Sequence, residues 1–582
     1  MALACPEMLT VVIFGATGDL AKKKLFPALY DLLYGCPDAP LLPTSTRIVG
    51  YGRAQMELGA FIAKQCANVR GAHRDEFTSR ISYAHGQYDQ EAAFARLNDK
   101  LLELEGCSGA EQCNRLFFLS VPPTVFAQVC ENVHRQARAV RGFTRVIIEK
   151  PFGRNSRSFA ELNNTTSRLF REDQLYRIDH YLAKEKVLNL VAFRFANQLY
   201  EPLWNKNHIA QVQIIFKEDI GTDGRGGYFD GFGIIRDIMQ NHLLQVFLWL
   251  AMEAPERLDA KSIAAAKCKL LSATQTLEMK DCFLGQYTAT SDKPGYLDDE
   301  TVPAGSRCPT YAAVVLNVDN ERWRGVPFLM RAGKALDERL AEVRVTFRKQ
   351  AYNMLVPGEP NELVLRIQPD EGIYLKCINK QPGWDQSQVA PVNFNMNYKD
   401  TFNMSYVAGA YERMLLNAAK GDQSLFVGSQ ELVEAWRIFT PLLDEIDSSR
   451  PLPVPYAFGS ALPKGLEGFA RARGVVVDDV RVTGAPAGAS VSKPLPPPLV
   501  CASPLRPMSR PDLLVTPVRG RADSAGLDVS EVKANQPGVA RGSATTDVAR
   551  ALKGARRDAD VALGAAPTPP RKWRRLKSHD TF

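Results

Sequence analysis

The sequence lacks any apolar run long enough to cross a bilayer, which excludes a transmembrane helix on length alone. It also lacks a C-x-x-C pair, since its 11 cysteines are scattered singly from Cys5 to Cys501. This spacing argues against a zinc site and a disulfide framework, and it is typical of a reducing compartment. Residues 1–7 show no basic segment followed by an apolar one, so we expect a cytoplasmic protein with no membrane association and no bound metal.

Most of the chain carries little net charge. The formal net charge is +8, but residues 475–582 hold 17 Lys/Arg against 10 Asp/Glu, which leaves residues 1–474 close to neutral. A near-neutral body does not favour binding of nucleic acid.

The segment 475–582 is predicted to be a disordered basic tail rich in Pro, Ala and Arg. It contains 13 prolines, and its only aromatic residues are Trp573 and Phe582, so it has too little apolar surface to form a core. Two interpretations stay open. The composition favours a functionally silent extension, and the alternative is an arm whose cluster at 571–577 contacts an acidic partner.

The remaining chain divides into two predicted domains. Strands predicted at 9–14, 47–51, 115–120 and 144–148 alternate with helical patterns, which favours a parallel sheet covered on both faces. Residues 1–178 are therefore predicted to form a Rossmann-like α/β domain. Long helices predicted at 233–252 and 431–446, with strands at 211–216 and 342–347, indicate a larger α+β domain at 179–474.

A glycine-rich turn joins the first predicted strand to the first predicted helix. Its spacing, G-x-x-G-x-x-A, starts at Gly15 and is a variant of the dinucleotide fingerprint. Gly15 permits a tight turn, Gly18 lets the backbone approach a pyrophosphate, and Ala21 keeps the helix close to the sheet. The alternative is an ordinary turn between a strand and a helix.

The second predicted strand favours NADP over NAD. An NAD site usually has a carboxylate at the end of this strand, whereas the sequence here ends in Arg53. Arg53 can hold a 2′-phosphate together with the Thr17 hydroxyl and a lysine such as Lys24. The alternative for Arg53 is a solvated loop cation.

The stretch 177–184 concentrates ionisable side chains to a degree that structure alone rarely requires. It carries Asp179, His180, Tyr181 and Lys184 within six residues. His, Tyr and Lys suit a bound phosphate, and the carboxylate suits the orientation of a catalytic base.

Six segments carry a resemblance to a known family. They are 15–24 (GATGDLAKKK), 149–153 (EKPFG), 177–185 (RIDHYLAKE), 226–242 (GGYFDGFGIIRDIMQNH), 331–339 (RAGKALDER) and 434–441 (EAWRIFTP). In this order they resemble the glucose-6-phosphate dehydrogenase family over about residues 9–470. The resemblance implies oxidation of D-glucose 6-phosphate to 6-phospho-D-glucono-1,5-lactone with hydride transfer to NADP, the first step of the oxidative pentose phosphate pathway, in a homodimer or homotetramer. It also implies that the domain 179–474 has an extended sheet and serves substrate binding and dimerisation.

The resemblance also implies roles for individual residues. His242 would be the general base, and Asp179 would orient it and stabilise the imidazolium. The substrate-binding set is Lys150, His180, Tyr181, Lys184, Glu218, Asp237, Lys334, Arg339 and Gln368. The cofactor set is Gly15, Ala16, Thr17, Gly18, Asp19, Leu20, Lys24, Arg53 and Lys150. A second, structural NADP would contact Arg331, Arg344, Arg366, Tyr374 and Lys376.

His242 lies on a strongly apolar helix, where a single histidine is more often a core residue than a catalyst. On an ideal α-helix Asp237 and His242 lie about 140° apart, so they are expected to flank one cavity without stacking. The family motif around them favours the catalytic interpretation.

Two other functions are alternatives to this one. A non-catalytic NADP-binding sensor on the same fold predicts loss of the base or of the phosphate ligands, yet these residues are present. A related dehydrogenase for a different sugar phosphate is not distinguished by motifs.

Overall fold

The computed structural model describes residues 6–36, 39–106, 113–349, 360–397, 401 and 408–477. Predictions for the tail lie outside these residues except at 475–477. There Val475 is buried, the N–H of Val476 donates to Oε1 of Gln211 at 2.7 Å, and Nε2 of Gln211 donates to the Val476 carbonyl at 2.8 Å. These three residues therefore pack on the second sheet.

Six parallel strands form the first sheet. They are β1 Leu9–Phe14, β2 Arg47–Gly52, β3 Ile81–His85, β4 Asn114–Leu119, β5 Thr144–Ile148 and β6 Leu175–Arg177. Their spatial order is β3-β2-β1-β4-β5-β6, the doubly wound arrangement of a Rossmann domain. The two central strands, β1 and β4, are buried along their whole length, as apolar strands covered on both faces should be. The predicted Rossmann-like parallel sheet is confirmed.

Nine strands form the second, mixed sheet. They are β7 Ile209–Lys217, β8 Cys282–Thr288, β9 Tyr311–Leu316, β10 Phe328–Gly333, β11 Leu340–Phe347, β12 Glu362–Gln368, β13 Gly372–Lys380, β14 Val389–Asn397 and β15 Val454–Ala457. Their order is β14-β13-β12-β11-β7-β10-β9-β8-β15, with parallel pairing of β7 with β10 and of β15 with β8. The predicted larger domain with an extended sheet is confirmed, whereas its boundary at residue 179 stays a prediction.

The helices pack around both sheets. They are α1 Phe26–Tyr30, α2 Leu58–Gln65, α3 Arg74–Ser79, α4 Glu91–Glu105, α5 Phe126–Gln136, α6 Ser156–Leu169, α7 Glu185–Phe195, α8 Gly226–Asp230, α9 Leu244–Ala251, α10 Ala260–Ser272, α11 Ala410–Lys420, α12 Ser429–Ser449 and α13 Leu466–Arg471. Turns of π type flank α1, at Ala21–Leu25 and Asp31–Gly35, and precede α9, at Ile235–Leu243. No helix of the described residues combines the length and the apolar character that a membrane crossing requires.

The ends of β5 and β6 position the residues that follow them. Ile148 and Arg177 lie in register, so Lys150 and Asp179 leave the sheet at the same edge. The short turn His180–Ala183 then contacts the segment Ile235–Leu243 of the second domain. Residues distant in sequence therefore meet at the carboxyl edge of the parallel sheet, where open α/β sheets bind ligands.

One cysteine departs from the sequence prediction. Seven of the described cysteines are free, but Cys113 is disulfide-bonded. Scattered spacing argued against a disulfide framework, and it gave no signal for this single bond.

Candidate active site

A cavity of about 550 Å³ collects the candidate substrate residues. All nine predicted members line it, together with His242: Lys150, His180, Tyr181, Lys184, Glu218, Asp237, Lys334, Arg339 and Gln368. The cavity is therefore built by both domains, and it has the size of a small-molecule site.

His242 and Asp179 form a buried pair at the wall of this cavity. Nδ1 of His242 lies 2.6 Å from Oδ1 of Asp179, and both side chains are only 3% exposed. The Tyr181 N–H also donates to the same carboxylate oxygen, at 2.9 Å. Because Nδ1 is engaged, Nε2 of His242 is the nitrogen that can accept a proton.

The electrostatics of the pair suit a base with a fixed orientation. Burial opposes ionisation of Asp179, but the charge and hydrogen bond of His242 hold the pKa of this carboxyl at about 2. Burial lowers the pKa of His242 below its ordinary value of 6.5, although Asp179 acts in the opposite direction. At neutral pH the carboxylate is therefore charged, and the imidazole is neutral and able to take a proton.

The segment that carries His242 is wound differently from the ideal α-helix assumed above. In Ile235–Leu243 the turns are of π type, as shown by the Leu244 N–H, which donates to the Met239 carbonyl five residues earlier. Such turns bring residues five apart towards the same side. Asp237 and His242 therefore both line the cavity, and the 140° separation of an α-helix does not apply.

One group of lining residues, around Lys184, is suited to a phosphate. Nζ of Lys184 donates to Oε1 of Gln368 and lies 4.1 Å from the centre of the Tyr181 ring. Burial, reinforced by the nearby Arg339, lowers the pKa of Lys184 to about 8. His180 packs edge-on to His242, with ring centres 4.6 Å apart, and burial lowers its pKa to about 3. A bound dianion would relieve this desolvation by supplying the missing counter-charge.

A second group of lining residues carries alternating charges. Nζ of Lys150 lies 3.1 Å from Oδ1 of Asp237, and Nζ of Lys334 lies 2.5 Å from Oε2 of Glu218. Burial opposes ionisation of Asp237, yet Lys150 and Lys334 lower the pKa of this carboxyl. Donors and acceptors with fixed directions are what a polyhydroxylated ring requires.

Two further residues beside the pair were not found from the sequence. Glu149 follows β5 directly, and burial raises the pKa of its carboxyl to about 7 despite a hydrogen bond with Tyr411. The Tyr411 ring lies parallel to the His180 ring at 6.3 Å. Among the described residues, neither Oε1 of Glu149 nor Oδ2 of Asp179 has a hydrogen-bond partner. A carboxylate directly after the apolar strand β5 was a signal for Glu149, whereas Tyr411 lies on α11 and had no local signal.

The glycine-rich turn has the geometry of a dinucleotide cradle. Gly15 has φ = +76°, and a Cβ there would lie 2.0 Å from the Ser120 carbonyl, so only glycine fits. The N–H groups of Gly15 and Ala16 donate to the Tyr51 carbonyl at 3.0 and 3.1 Å. Gly18 is exposed, which leaves the start of the helix open to an anion. The residues present therefore fit a bound dinucleotide.

The remaining cofactor candidates surround this turn. Arg53 is exposed directly beyond β2, and Thr17 lies beside the end of the same strand, with Cγ2 3.2 Å from a Cβ built at Gly52. Asp19 accepts a hydrogen bond from Lys23 at 2.8 Å, and Lys24 is exposed on the following turn. Leu20 is half-buried on the same turn. The assignment of these residues to NADP stays a prediction.

The five residues of the predicted structural NADP site share one face of the second sheet. The strand registers place Arg331, Arg344, Arg366, Tyr374 and Lys376 on this face. Nε atoms of Arg344 and Arg366 donate to Glu342 at 2.6 and 3.2 Å, and Arg366 lies 5.6 Å from the Tyr374 ring centre. The arrangement is cationic, and its occupancy stays a prediction.

The catalytic cluster also contains side chains of the types that bind metal ions. Ligand atoms of Asp179, His180 and His242 lie within 4.8 Å of one another. The hydrogen bond between Nδ1 of His242 and Asp179 uses one of these atoms on each residue, so the cluster is organised for proton transfer.

Fold and site together define an oxidoreductase that binds a nicotinamide nucleotide, and the comparisons agree. Residues 12–189 match the family model "Glucose-6-phosphate dehydrogenase, NAD binding domain", and residues 191–476 match "Glucose-6-phosphate dehydrogenase, C-terminal domain". The glucose-6-phosphate 1-dehydrogenase of Dictyostelium discoideum is 46% identical over 478 residues, which are 81% of this chain and 95% of that protein. The glucose-6-phosphate 1-dehydrogenase 3, chloroplastic, of Arabidopsis thaliana is 46% identical and covers 78% of each chain.

A solved structure is also similar. It is described as glucose-6-phosphate dehydrogenase in complex with its substrate glucose-6-phosphate, and it is 41% identical with a TM-score of 0.78 over 82% of this chain and 100% of that chain. The chain belongs to the glucose-6-phosphate dehydrogenase family. Membership confirms the predicted function and enzyme class, an NADP-dependent glucose-6-phosphate dehydrogenase, and nothing in the site favours the alternative of a non-catalytic sensor.

Proposed function

We propose that the cavity oxidises C1 of β-D-glucose 6-phosphate to the 1,5-lactone, with His242 as the general base. The observation that supports this most is the buried pair of His242 and Asp179, which lies in a cavity lined by cations and by donors and acceptors suited to hydroxyl groups. NADP, when bound, accepts the hydride that leaves C1. His242 Nε2 removes the proton of the C1 hydroxyl, and the Asp179 carboxylate stabilises the imidazolium that forms.

The positioning of the sugar is assigned to two groups of lining residues. His180, Tyr181 and Lys184 are proposed to hold the 6-phosphate. The acceptors and donors of the second group are proposed to fix the ring hydroxyls: Glu218, Asp237, Lys150 and Lys334. Arg339 and Gln368 complete the lining.

The direct test of this reaction is NADP reduction by the purified chain, followed by near-UV absorbance. We expect turnover with glucose 6-phosphate that exceeds turnover with mannose 6-phosphate, galactose 6-phosphate and unphosphorylated glucose. Faster turnover of another sugar phosphate would assign the chain to a different substrate, and a folded but inactive chain would contradict the proposal.

Lys184→Ala is expected to raise KM for glucose 6-phosphate by roughly 10- to 100-fold and to change kcat much less, because a charge-assisted contact to phosphate is lost. Lys280→Ala is a matched control, since Lys280 is exposed, lies outside the cavity lining and pairs with Glu278. The pH profile adds a second readout. The pKa of Lys184 is lowered to about 8, so wild-type kcat/KM should fall above that pH as the ammonium is lost, and Lys184→Arg should remove this limb. An unchanged KM in Lys184→Ala would remove Lys184 from the phosphate site.

Arg53→Ala is expected to raise KM for NADP by roughly 10- to 100-fold while KM for NAD stays within about twofold, since only NADP carries the 2′-phosphate. Arg70→Ala provides the control, because Arg70 is an exposed arginine of the same domain. Equal effects on KM for NADP and on KM for NAD would indicate that Arg53 is a solvated loop cation.

We infer that the second sheet joins two copies of the chain. On β14, Val392 and Phe394 are 43% and 58% exposed on one face, and Trp384 in the preceding loop is fully exposed. Apolar side chains in this number at the edge of a sheet are typical of an interface. Light scattering on the purified chain gives the mass that decides between a monomer, a dimer and a tetramer.

The cytoplasmic location stays a proposal. Seven of the described cysteines are free, which is typical of a reducing compartment, whereas the disulfide at Cys113 argues against it. Relatives include chloroplast proteins, so fractionation of cells that express the full chain is the deciding measurement.

A further inference from the structure

A second cavity of about 320 Å³ lies beside the catalytic cavity and has no role in the mechanism above. Its walls come from the loop between α8 and the segment Ile235–Leu243, the loop 306–309 before β9, the carboxyl end of α12, and Arg154 before α6. We call it the arginine cavity, because four arginines line it: Arg154, Arg236, Arg307 and Arg450.

The two carboxylates of the arginine cavity are already engaged. Asp447 accepts from both terminal nitrogens of Arg236, at 2.6 and 3.3 Å. Oδ1 of Asp230 accepts from the Tyr296 hydroxyl at 2.9 Å and from the Ser306 hydroxyl. Asp447 therefore neutralises Arg236 alone, and Asp230 is turned towards hydroxyl groups.

The other three guanidinium groups have no carboxylate partner among the described residues. One terminal nitrogen of Arg154 donates to the Gly231 carbonyl at 2.5 Å, and one of Arg307 donates to the Arg450 carbonyl at 2.8 Å. The side chain of Arg450 makes no hydrogen bond to the described residues, and its backbone has φ = +45°, where glycine is usual at a helix end. Three cations thus converge on one concave surface and keep most of their donors unused.

All three arginines are exposed, so water screens their mutual repulsion in part, and an anion bound between them reduces it further. The carboxyl end of α12 contributes a partial negative charge of roughly half an elementary charge, which offsets only a small part of three cations. The cavity therefore retains a positive potential that a multiply charged anion can neutralise.

We propose that the arginine cavity binds a small organic phosphate. Guanidinium groups match the oxygens of a phosphate in paired hydrogen bonds, which is why Arg is the usual residue for this recognition. Arg154, Arg307 and Arg450 hold the phosphate. The apolar wall, made by Phe232, Pro309 and Ile446, contacts the organic part. A volume of about 320 Å³ accommodates such a molecule.

The ligand acts on the catalytic cavity through shared residues. Arg236 and Phe232 line both cavities. Nε of Arg236 donates to the Arg154 carbonyl at 2.8 Å, and this hydrogen bond holds the segment that follows Lys150. Arg236 also directly precedes Asp237, which lines the catalytic cavity. Occupancy therefore changes kcat without competing with the sugar phosphate. This step rests on the proposed function, whereas binding itself does not.

Equilibrium dialysis of the full chain with labelled inorganic phosphate tests the binding. We expect Lys184→Ala and the double variant Arg307→Ala/Arg450→Ala each to bind one phosphate per chain fewer than the wild type. The double variant should keep wild-type kcat and KM in phosphate-free buffer, because both arginines are exposed and lie outside the catalytic cavity. Arg257→Ala, an exposed arginine that lines neither cavity, is the control and should bind as many phosphates as the wild type.

The outcomes separate the two proposals. Phosphate binding by the double variant that equals that of the wild type overturns the arginine cavity, whatever the activity. Failure of the proposed function appears instead as absent turnover in every protein. Phenyl phosphate tests the apolar wall: we expect it to bind the wild type at least tenfold more tightly than inorganic phosphate, with this gain lost in the double variant. Equal affinities for the two probes would overturn the assignment to an organic phosphate.

Discussion

Replacement of His242 by alanine is expected to lower kcat by roughly 10²- to 10⁴-fold, the range that a positioned general base contributes. The structure gives the reason, since Nδ1 is held by Asp179 at 2.6 Å and Nε2 is the nitrogen available to the cavity. His180 does not replace it, because burial lowers the pKa of His180 to about 3 and makes it a weak base. Glu149 has a carboxyl pKa of about 7, but it does not line the cavity. The affinity for NADP should change by less than about twofold, since His242 is not among the residues assigned to the cofactor.

The experiment needs a control for folding and a second readout. His208→Ala is suitable, because His208 is an exposed histidine outside the cavity. In the wild type, burial lowers the pKa of His242, so the base stays neutral to lower pH than an ordinary imidazole. The acid limb of the kcat profile should therefore lie below pH 6.5, and the residual activity of His242→Ala should lack it. Near-normal turnover of the variant would remove His242 as the base.

The sequence predicted the strands that are buried and whose composition is strongly apolar. β1 (LTVVIF) and β5 (TRVII) are short, apolar and β-branched, and both were found. β3 (ISYAH) and β6 (LYR) were not predicted. β3 is half-exposed at the edge of the sheet, and β6 has only three residues, so their pairing with neighbours decides their structure.

For the site, motifs in the sequence identified the residues. The contacts between residues that are distant in the chain depend on the fold and were not predicted. The resemblance named Asp179 and His242 although 62 residues separate them, but local pattern could not give the contact between them. The π-type turns that bring Asp237 and His242 to one cavity depend on packing, because an apolar helix pattern looks the same with either winding. Tyr411 meets Glu149 only through the tertiary structure.

The second large effect is expected for Asp179→Asn. Asparagine keeps the shape and can still accept from the Tyr181 N–H, so the turn His180–Ala183 should persist. It removes the charge that stabilises the imidazolium in a buried site, and we expect kcat to fall by roughly 10²- to 10³-fold. The pKa effect separates this loss from misfolding. Asp179 raises the pKa of His242, so its neutralisation should lower this pKa further.

The two consequences run in opposite directions along the pH axis. The variant should be slower at every pH, yet its acid limb should move to lower pH, because a less basic imidazole resists protonation. Simple loss of folded protein would lower kcat without moving the limb. Asp173→Asn, which removes an exposed carboxylate that pairs with Arg171, is the matched control and should leave both kcat and the limb unchanged. If circular dichroism shows that Asp179→Asn is fully folded, and the limb stays in place while kcat falls, the carboxylate positions the ring but does not stabilise its charge. The proposed charge stabilisation would then be wrong.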